Sequence, residues 1–173
     1  MNIWETIYLS NFRTTIDTRL RTFQFKLIRR TLPTNVHLKI YGIKDSDICD
    51  LCHEEVETYE HLFYHCRVTQ NLILGLKNWI NPNVLLMQYP TLTNIIFGYN
   101  YLPDINTCNM INTLFLILKN YIYRCKCKNI APLFRPLLLE IKRKYSIEIN
   151  SEHFRTREKW KILKNKIKKY LTM

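Results

Sequence analysis

A chain of 173 residues with 47% hydrophobic content and only three glycines can bury a sizeable core, which excludes a disordered segment and favours helix. Lys and Arg outnumber Asp and Glu by 26 to 14, a net charge of +12, and an excess of that size points either to a polyanionic partner or to well-solvated helix faces. Glu5 and its polar neighbours interrupt the start before a signal peptide could form, and the longest apolar run, Leu114 to Leu118, is too short to span a bilayer, so the expectation is a soluble intracellular protein, nuclear or cytoplasmic.

In chain order, Ile3 to Leu9 forms a short amphipathic piece and Asn11 to Thr15 a polar turn. Ile16, Leu20, Phe23 and Leu27 then recur at helical spacing and predict a helix from Thr15 to Arg30. Arg19, Lys26 and Arg30 fall seven and four residues apart, a cationic stripe along its flank. Pro33 ends this helix, and Asn35 is placed to cap a short one through Tyr41 that Gly42 closes.

Residues 49–66 read CDLCHEEVETYEHLFYHC. Cys49 and Cys52 can grip one ion from a tight turn, and His61 and Cys66 can bring an imidazole and a third thiolate to the same point. Three thiolates and an imidazole favour Zn²⁺ over oxygen-seeking Ca²⁺ or Mg²⁺. His65, four residues after His61, leaves a second ligand set open in which His61 and His65 join Cys49 and Cys52. Either set fills four positions, so the zinc would be structural and not catalytic. Seven of the fourteen carboxylates lie between Asp45 and Glu60, with no Lys or Arg among them, so this loop should repel phosphate.

After Cys66 a helix is expected through Trp79, with Leu72, Leu76 and Trp79 on one face, until Asn81-Pro82 breaks it. A short helix is expected at Leu92 to Phe97. Residues 106–129 are apolar nearly all round and predict the buried centre of a bundle. Cys125 and Cys127 point about 200° apart on that helix and cannot chelate together; with Cys108 they read as free thiols in a reducing compartment. Phe134 to Tyr145 reads as a Leu-rich helix ending in Lys142, Arg143 and Lys144. In a last helix, from Glu152 to Leu171, the residues Trp160, Leu163, Ile167, Tyr170 and Leu171 form a narrow apolar arc. Arg155, Arg157, Lys159, Lys161, Lys164, Lys166, Lys168 and Lys169 spread over the rest, facing outward.

The fold class is therefore all-α, a helical bundle with a small Cys3His zinc knuckle inserted between helices. Residues 1–82 carry the knuckle and 83–173 form a C-terminal helical subdomain with a basic terminal helix. The expected metal ligands are Cys49, Cys52, His61 and Cys66. The expected nucleic-acid contacts are Arg19, Lys26, Arg30, Lys142, Arg143, Lys144, Lys161, Lys164, Lys166, Lys168 and Lys169.

The runs TTIDTRLRTFQFKLIRRTLPTNVHL, ICDLC and ETYEHLFYHC resemble the zinc-binding region downstream of the reverse transcriptase in non-LTR (LINE-type) retrotransposons. INTLFLILKNYIYRCKCKNIAPLF is similar to the helical tail of L1-like members. The resemblance places Cys49, Cys52, His61 and Cys66 at the family's metal positions. It implies a module that helps hold template RNA or target DNA, with a reverse transcriptase domain as its partner in a longer chain.

No adjacent Asp-Asp pair is available for two-metal polymerase chemistry, and no aspartate follows Asp104 to complete a nuclease-like set with Pro103-Asp104. No Walker, Rossmann or nucleophile-elbow motif occurs either. The expectation is no enzymatic activity, with Zn²⁺ as the cofactor, RNA or DNA bound through its backbone with little sequence preference, and no membrane contact. A protein-interaction scaffold, or a retrotransposon remnant that binds no nucleic acid, is the competing reading.

Overall fold

The computed structural model describes residues 3–80, 89–99 and 104–169. The chain runs α1 (Ile3–Thr14), α2 (Thr18–Ile28), α3 (Asn35–Ile40), a π-helical turn (His61–His65), α4 (Arg67–Trp79), α5 (Leu92–Phe97), α6 (Ile105–Cys127), α7 (Phe134–Ile149), α8 (Phe154–Lys161) and α9 (Lys164–Lys169). Among the described residues there are no strands, and the protein is all-α with the Cys3His group between helices.

Helix α6 is the axis. Its apolar residues leave hardly any polar face, and Met110, Ile111, Leu114 and Ile122 are fully buried. Helices α1, α2, α7 and α8 all pack on it, α4 packs on α7, and α5 packs on α2 and the π turn. One hydrophobic cluster joins Leu20, Phe23 and Leu27 of α2 to Leu62 and Phe63 of the π turn, to α6, and to Trp160 and Leu163 near the C-terminus. The expected boundary at 82/83, with the Asn81-Pro82 break, lies outside the described residues.

Helix ends are set by caps that periodicity does not show. Helix α1 continues through Thr14, where a turn was expected, and α2 begins only at Thr18. There the Asp17 carboxylate accepts from the Arg19 and Leu20 N–H groups. Arg30 leaves the helix at φ 54, so it is not part of the α2 stripe. Asn35 is no cap: it is buried, and its N–H donates to the Glu57 carboxylate at 2.9 Å. Gly42 does close α3, at φ 66. Helix α7 runs one turn past Tyr145, which carries Glu148 into the core.

The terminal helix is interrupted. Leu163 N–H donates to Trp160 C=O at 3.1 Å, tightening the chain between α8 and α9. Trp160, Leu163 and Ile167 are buried as the apolar arc requires, while Tyr170 and Leu171 lie outside the described residues. Lys159, expected to face outward, is fully buried. It pairs with Glu148 at 2.8 Å and donates to Thr113 Oγ1 at 2.9 Å and to Thr14 C=O. The core held an acid that the shorter predicted α7 left in solvent, and that acid draws the ammonium inward.

Candidate metal centre

The knuckle is folded by its own backbone. Cys49 N–H donates to Glu55 C=O at 2.8 Å, His53 N–H to Cys49 C=O at 2.9 Å, and an antiparallel bridge joins Ile48 to Val56. His53 takes φ 59 to let the chain reverse just after Cys52. Cys49 and Cys52 therefore face the incoming helix from a tight turn.

The other two ligands lie five residues apart. In an α-helix, residue i+5 sits about 140° round the axis, which would point Cys66 away from His61. The chain solves this with the π turn, whose i→i+5 bond from Cys66 N–H to His61 C=O is 2.7 Å. Cys66 is thereby brought back over His61, and α4 starts at the next residue.

The Sγ atoms of Cys49, Cys52 and Cys66 and a ring nitrogen of His61 all lie within 4.8 Å of one another, and all four residues are buried. Cys52 Sγ is 3.3 Å from His61 Nε2, against about 3.5 Å for the S–N edge of a tetrahedron with Zn–S near 2.3 Å and Zn–N near 2.0 Å. His61 Nδ1 meets Glu55 Oε2 at 3.1 Å, which leaves Nε2 for the ion and strengthens it as a donor. His65 is exposed, so the alternative set is not assembled. A hydrogen bond from Cys49 holds the Cys66 thiol down to about 5, and the same bond, with burial, pushes Cys49 up. The donor set of three sulfurs and one imidazole and its closed shape fit Zn²⁺ as a structural ion.

Residues 2–72, a segment holding all four ligands, match a protein-family model described as zinc-binding in reverse transcriptase. That segment is similar to this family. The reverse-transcriptase zinc-binding domain is an accessory region and not the catalytic domain, and Zn²⁺ is its cofactor. Helices α5 to α9 lie beyond the matched residues. No curated protein and no solved structure matches the chain.

The knuckle is less acidic in space than in sequence. Lys39 pairs with Asp47, Lys44 with Asp50, Arg67 with Glu54, Arg30 with Glu60 and Lys126 with Glu57. Glu57 is completely buried. Its carboxylate takes the Lys126 ammonium at 3.2 Å and the N–H of Asn35, and Lys126 also donates to Pro33 C=O at 3.1 Å. Sequence reading missed this anchor because Glu57 looked like one more loop acid and Lys126 lies about 70 residues away in the chain.

The basic residues meet different fates. Arg19 and Lys26 are exposed on α2 with no ion pair among the described residues, and Lys164 is exposed on α9. Lys142 is half-buried on α7. Arg143 lies 3.7 Å from Glu140, and Lys161 lies 2.7 Å from Glu158, both exposed. Lys144 is mostly buried and committed to Asp17, and Lys166 donates to Trp79 C=O at the end of α4 at 2.7 Å. The side chains of Lys168 and Lys169 lie outside the described residues.

Cys108 and Cys125 are buried and Cys127 is exposed, and none joins a second metal group among the described residues. Asp104 is the N-cap of α6, accepting from Asn106 N–H at 3.1 Å and Thr107 N–H at 2.9 Å. The Thr107 hydroxyl and these N–H groups hold its carboxyl below the usual range. Capping accounts for this carboxylate, which sequence alone set beside a nuclease pattern. No helix among the described residues is long and apolar enough to cross a membrane.

Proposed function

We propose that the chain is a non-catalytic, zinc-stapled module that binds the phosphate backbone of RNA or DNA with little sequence preference. One observation carries the reading: the acids of the knuckle are met by Arg30 just past α2 and by cations from α3, α4 and α6, while Arg19 and Lys26 on α2 keep their charge for a partner. Lys142, Arg143, Lys161 and Lys164 add to that outward charge. Lys144 and Lys166 have internal partners and serve the fold instead. Lys168 and Lys169 complete the proposed set from α9. In the organisation proposed here the zinc domain accompanies a reverse transcriptase domain of a longer chain and helps it hold its nucleic acid.

Phosphate contact releases counterions, so affinity should fall with salt with a log–log slope of about −0.7 per contact on a single strand. Salt titration of the intact chain and of an Arg19→Gln/Lys26→Gln/Lys142→Gln/Lys164→Gln variant tests this. The variant should bind more weakly and with a shallower slope. Equal binding by both, or none by either at low salt, refutes the reading.

A protein-interaction scaffold is favoured by a different observation. Ile40, Tyr41 and Ile43 are 74, 68 and 68% exposed around the turn that closes α3, beside the zinc loop. If this role is the main one, Tyr41→Ser should abolish partner binding while the cation variant leaves it intact.

A further inference from the structure

Helices α1 and α2 leave part of their joint surface uncovered. Arg21, Phe25 and Arg29 follow one another at four-residue spacing along α2, and Arg29 N–H still bonds Phe25 C=O at 3.0 Å, so it continues the row. Tyr8 and Phe12 form the matching pair on α1. The Arg21 guanidinium lies 5.0 Å from the centre of the Phe12 ring, fixed there by bonds to Thr15 C=O at 2.7 Å and Phe12 C=O at 3.1 Å. The Tyr8 and Phe25 rings are 6.0 Å apart and tilted 45°, and a shallow groove of about 440 Å³ opens between Tyr8, Ile28, Arg29 and Arg30.

Phe12 is 63% exposed and Phe25 51%. One exposed phenylalanine needs no explanation, but two, with a tyrosine beside one and arginines between, form a surface of defined chemistry. Its charge is one-sided. From Ile3 to Arg30 the only acids are Glu5 and Asp17, and Asp17 is occupied by Lys144 and by the first N–H groups of α2. Arg29 has no ion pair among the described residues.

We propose that this face is a stacking platform for single-stranded nucleic acid, in which the Phe12 and Phe25 rings take base faces and Arg21 and Arg29 take the neighbouring phosphates. The proposal rests on the nucleic-acid reading above and narrows it to unpaired strands, because a duplex keeps its base faces covered. The eight-residue step from Arg21 to Arg29 rises about 12 Å, the length of three or four stacked nucleotides. Aromatic rings have no sequence preference of their own, in keeping with backbone-led binding. The favoured occupant is a polyanion with flat apolar faces, since the Arg21 guanidinium lies against the Phe12 ring and Arg29 and Arg30 line the groove beside Tyr8.

The test uses the full zinc-loaded chain and three probes: a short oligouridine, an abasic strand of equal length and a duplex RNA. The wild-type chain should prefer oligouridine to the abasic strand. Phe12→Ala/Phe25→Ala should lose about tenfold or more for oligouridine, keep its affinity for the other two probes and keep its salt slope. Phe25→Trp should retain binding, and Arg29→Gln should flatten the slope by about 0.7. Unchanged helicity and zinc content show that the variants fold; Phe25→Ala alone replaces the double variant if it does not.

If the aromatic variant binds oligouridine as tightly as wild type, the platform is refuted while the charge-based reading stands. Loss of equal size for all three probes refutes it as well. A wild-type chain that binds none of the probes at low salt refutes both. A variant that keeps all three affinities but loses self-association or capture of a protein marks the face as a protein interface and overturns the proposal.

Discussion

Replacing Lys159 with Met should be among the most damaging single changes available in this chain. Lys159 and Glu148 are both fully buried and 2.8 Å apart. The ammonium has three partners: Glu148, the Thr113 hydroxyl and Thr14 C=O. Glu148 in turn accepts from Thr15 Oγ1 at 2.5 Å and from Trp160 Nε1 at 2.8 Å. The network ties the α1–α2 junction to α6, α7 and α8. Met would fill the space of the stem but leave the carboxylate buried with neutral donors only, a change that typically costs about 3–5 kcal/mol. For a chain of this size that lowers Tm by roughly 6–20 °C. Glu148→Gln should cost a similar amount by stranding the ammonium. Lys159→Met/Glu148→Leu should cost well below the sum, since no charge is left uncompensated, although the Thr15, Thr113 and Trp160 donors lose a partner. Urea unfolding followed by circular dichroism, with zinc in excess, gives all three values. A solvated lysine on an amphipathic helix would change stability by about 0.5 kcal/mol or less. A Lys159→Met variant within 1 kcal/mol of wild type would therefore show that the network is not formed.

Lys119 is enclosed without a carboxylate, donating to Gln24 Oε1 at 2.7 Å and Ile96 C=O at 3.2 Å, and burial pulls its pKa down to about 7 from 10.5. Above about pH 7 the folded chain holds it neutral while the unfolded chain keeps its proton, so stability should rise with pH from about 7 towards 10.5; Lys119→Met should flatten that rise and stabilise the protein at neutral pH by at most about 5 kcal/mol. Elemental analysis should find one Zn²⁺ per chain, lost in Cys49→Ser/Cys52→Ser and retained in Cys125→Ser/Cys127→Ser; zinc-free wild-type protein purified without chelator would refute the site. Glu55→Gln should weaken zinc binding about 10- to 100-fold in a competition titration with a chromophoric chelator, and unchanged affinity would mean that Glu55 does not orient His61. A chain cut to residues 1–82 should show no cooperative unfolding even with zinc, because α1 and α2 rest on α6; a sharp transition would establish that segment as a domain.

The zinc ligands were legible because chelation imposes spacing that survives without any knowledge of the fold. The choice between His61 and His65 was not, since it turns on an i→i+5 bond that side-chain patterns do not encode. Helices α4, α5 and α6 were legible from apolar periodicity. Errors gathered where a polar side chain sets a boundary, as Asp17 does for α2. They gathered also where a lysine leaves the surface for a distant partner. Lys119, Lys126, Lys144 and Lys159 find Gln24, Glu57, Asp17 and Glu148 across the bundle, pairings that helical spacing does not show.

The same pairings decide how the zinc knuckle is attached. The Arg30–Glu60 and Arg67–Glu54 pairs are largely exposed, and pairs of that kind contribute about 1 kcal/mol or less each. They shield the acidic loop more than they hold it. Glu57 differs because it has no access to water and its partners come from both sides: Asn35 N–H from α3 and Lys126 from α6. Tyr59 adds a bond of 2.5 Å to Leu32 C=O. The knuckle is thus fixed on the bundle by residues next to the ligands, and zinc fixes the knuckle itself. A metal centre built this way sets the end of α2 in a defined position without touching a ligand. The cations and rings that remain outward on α1 and α2 are then displayed by a rigid support, as a binding surface requires.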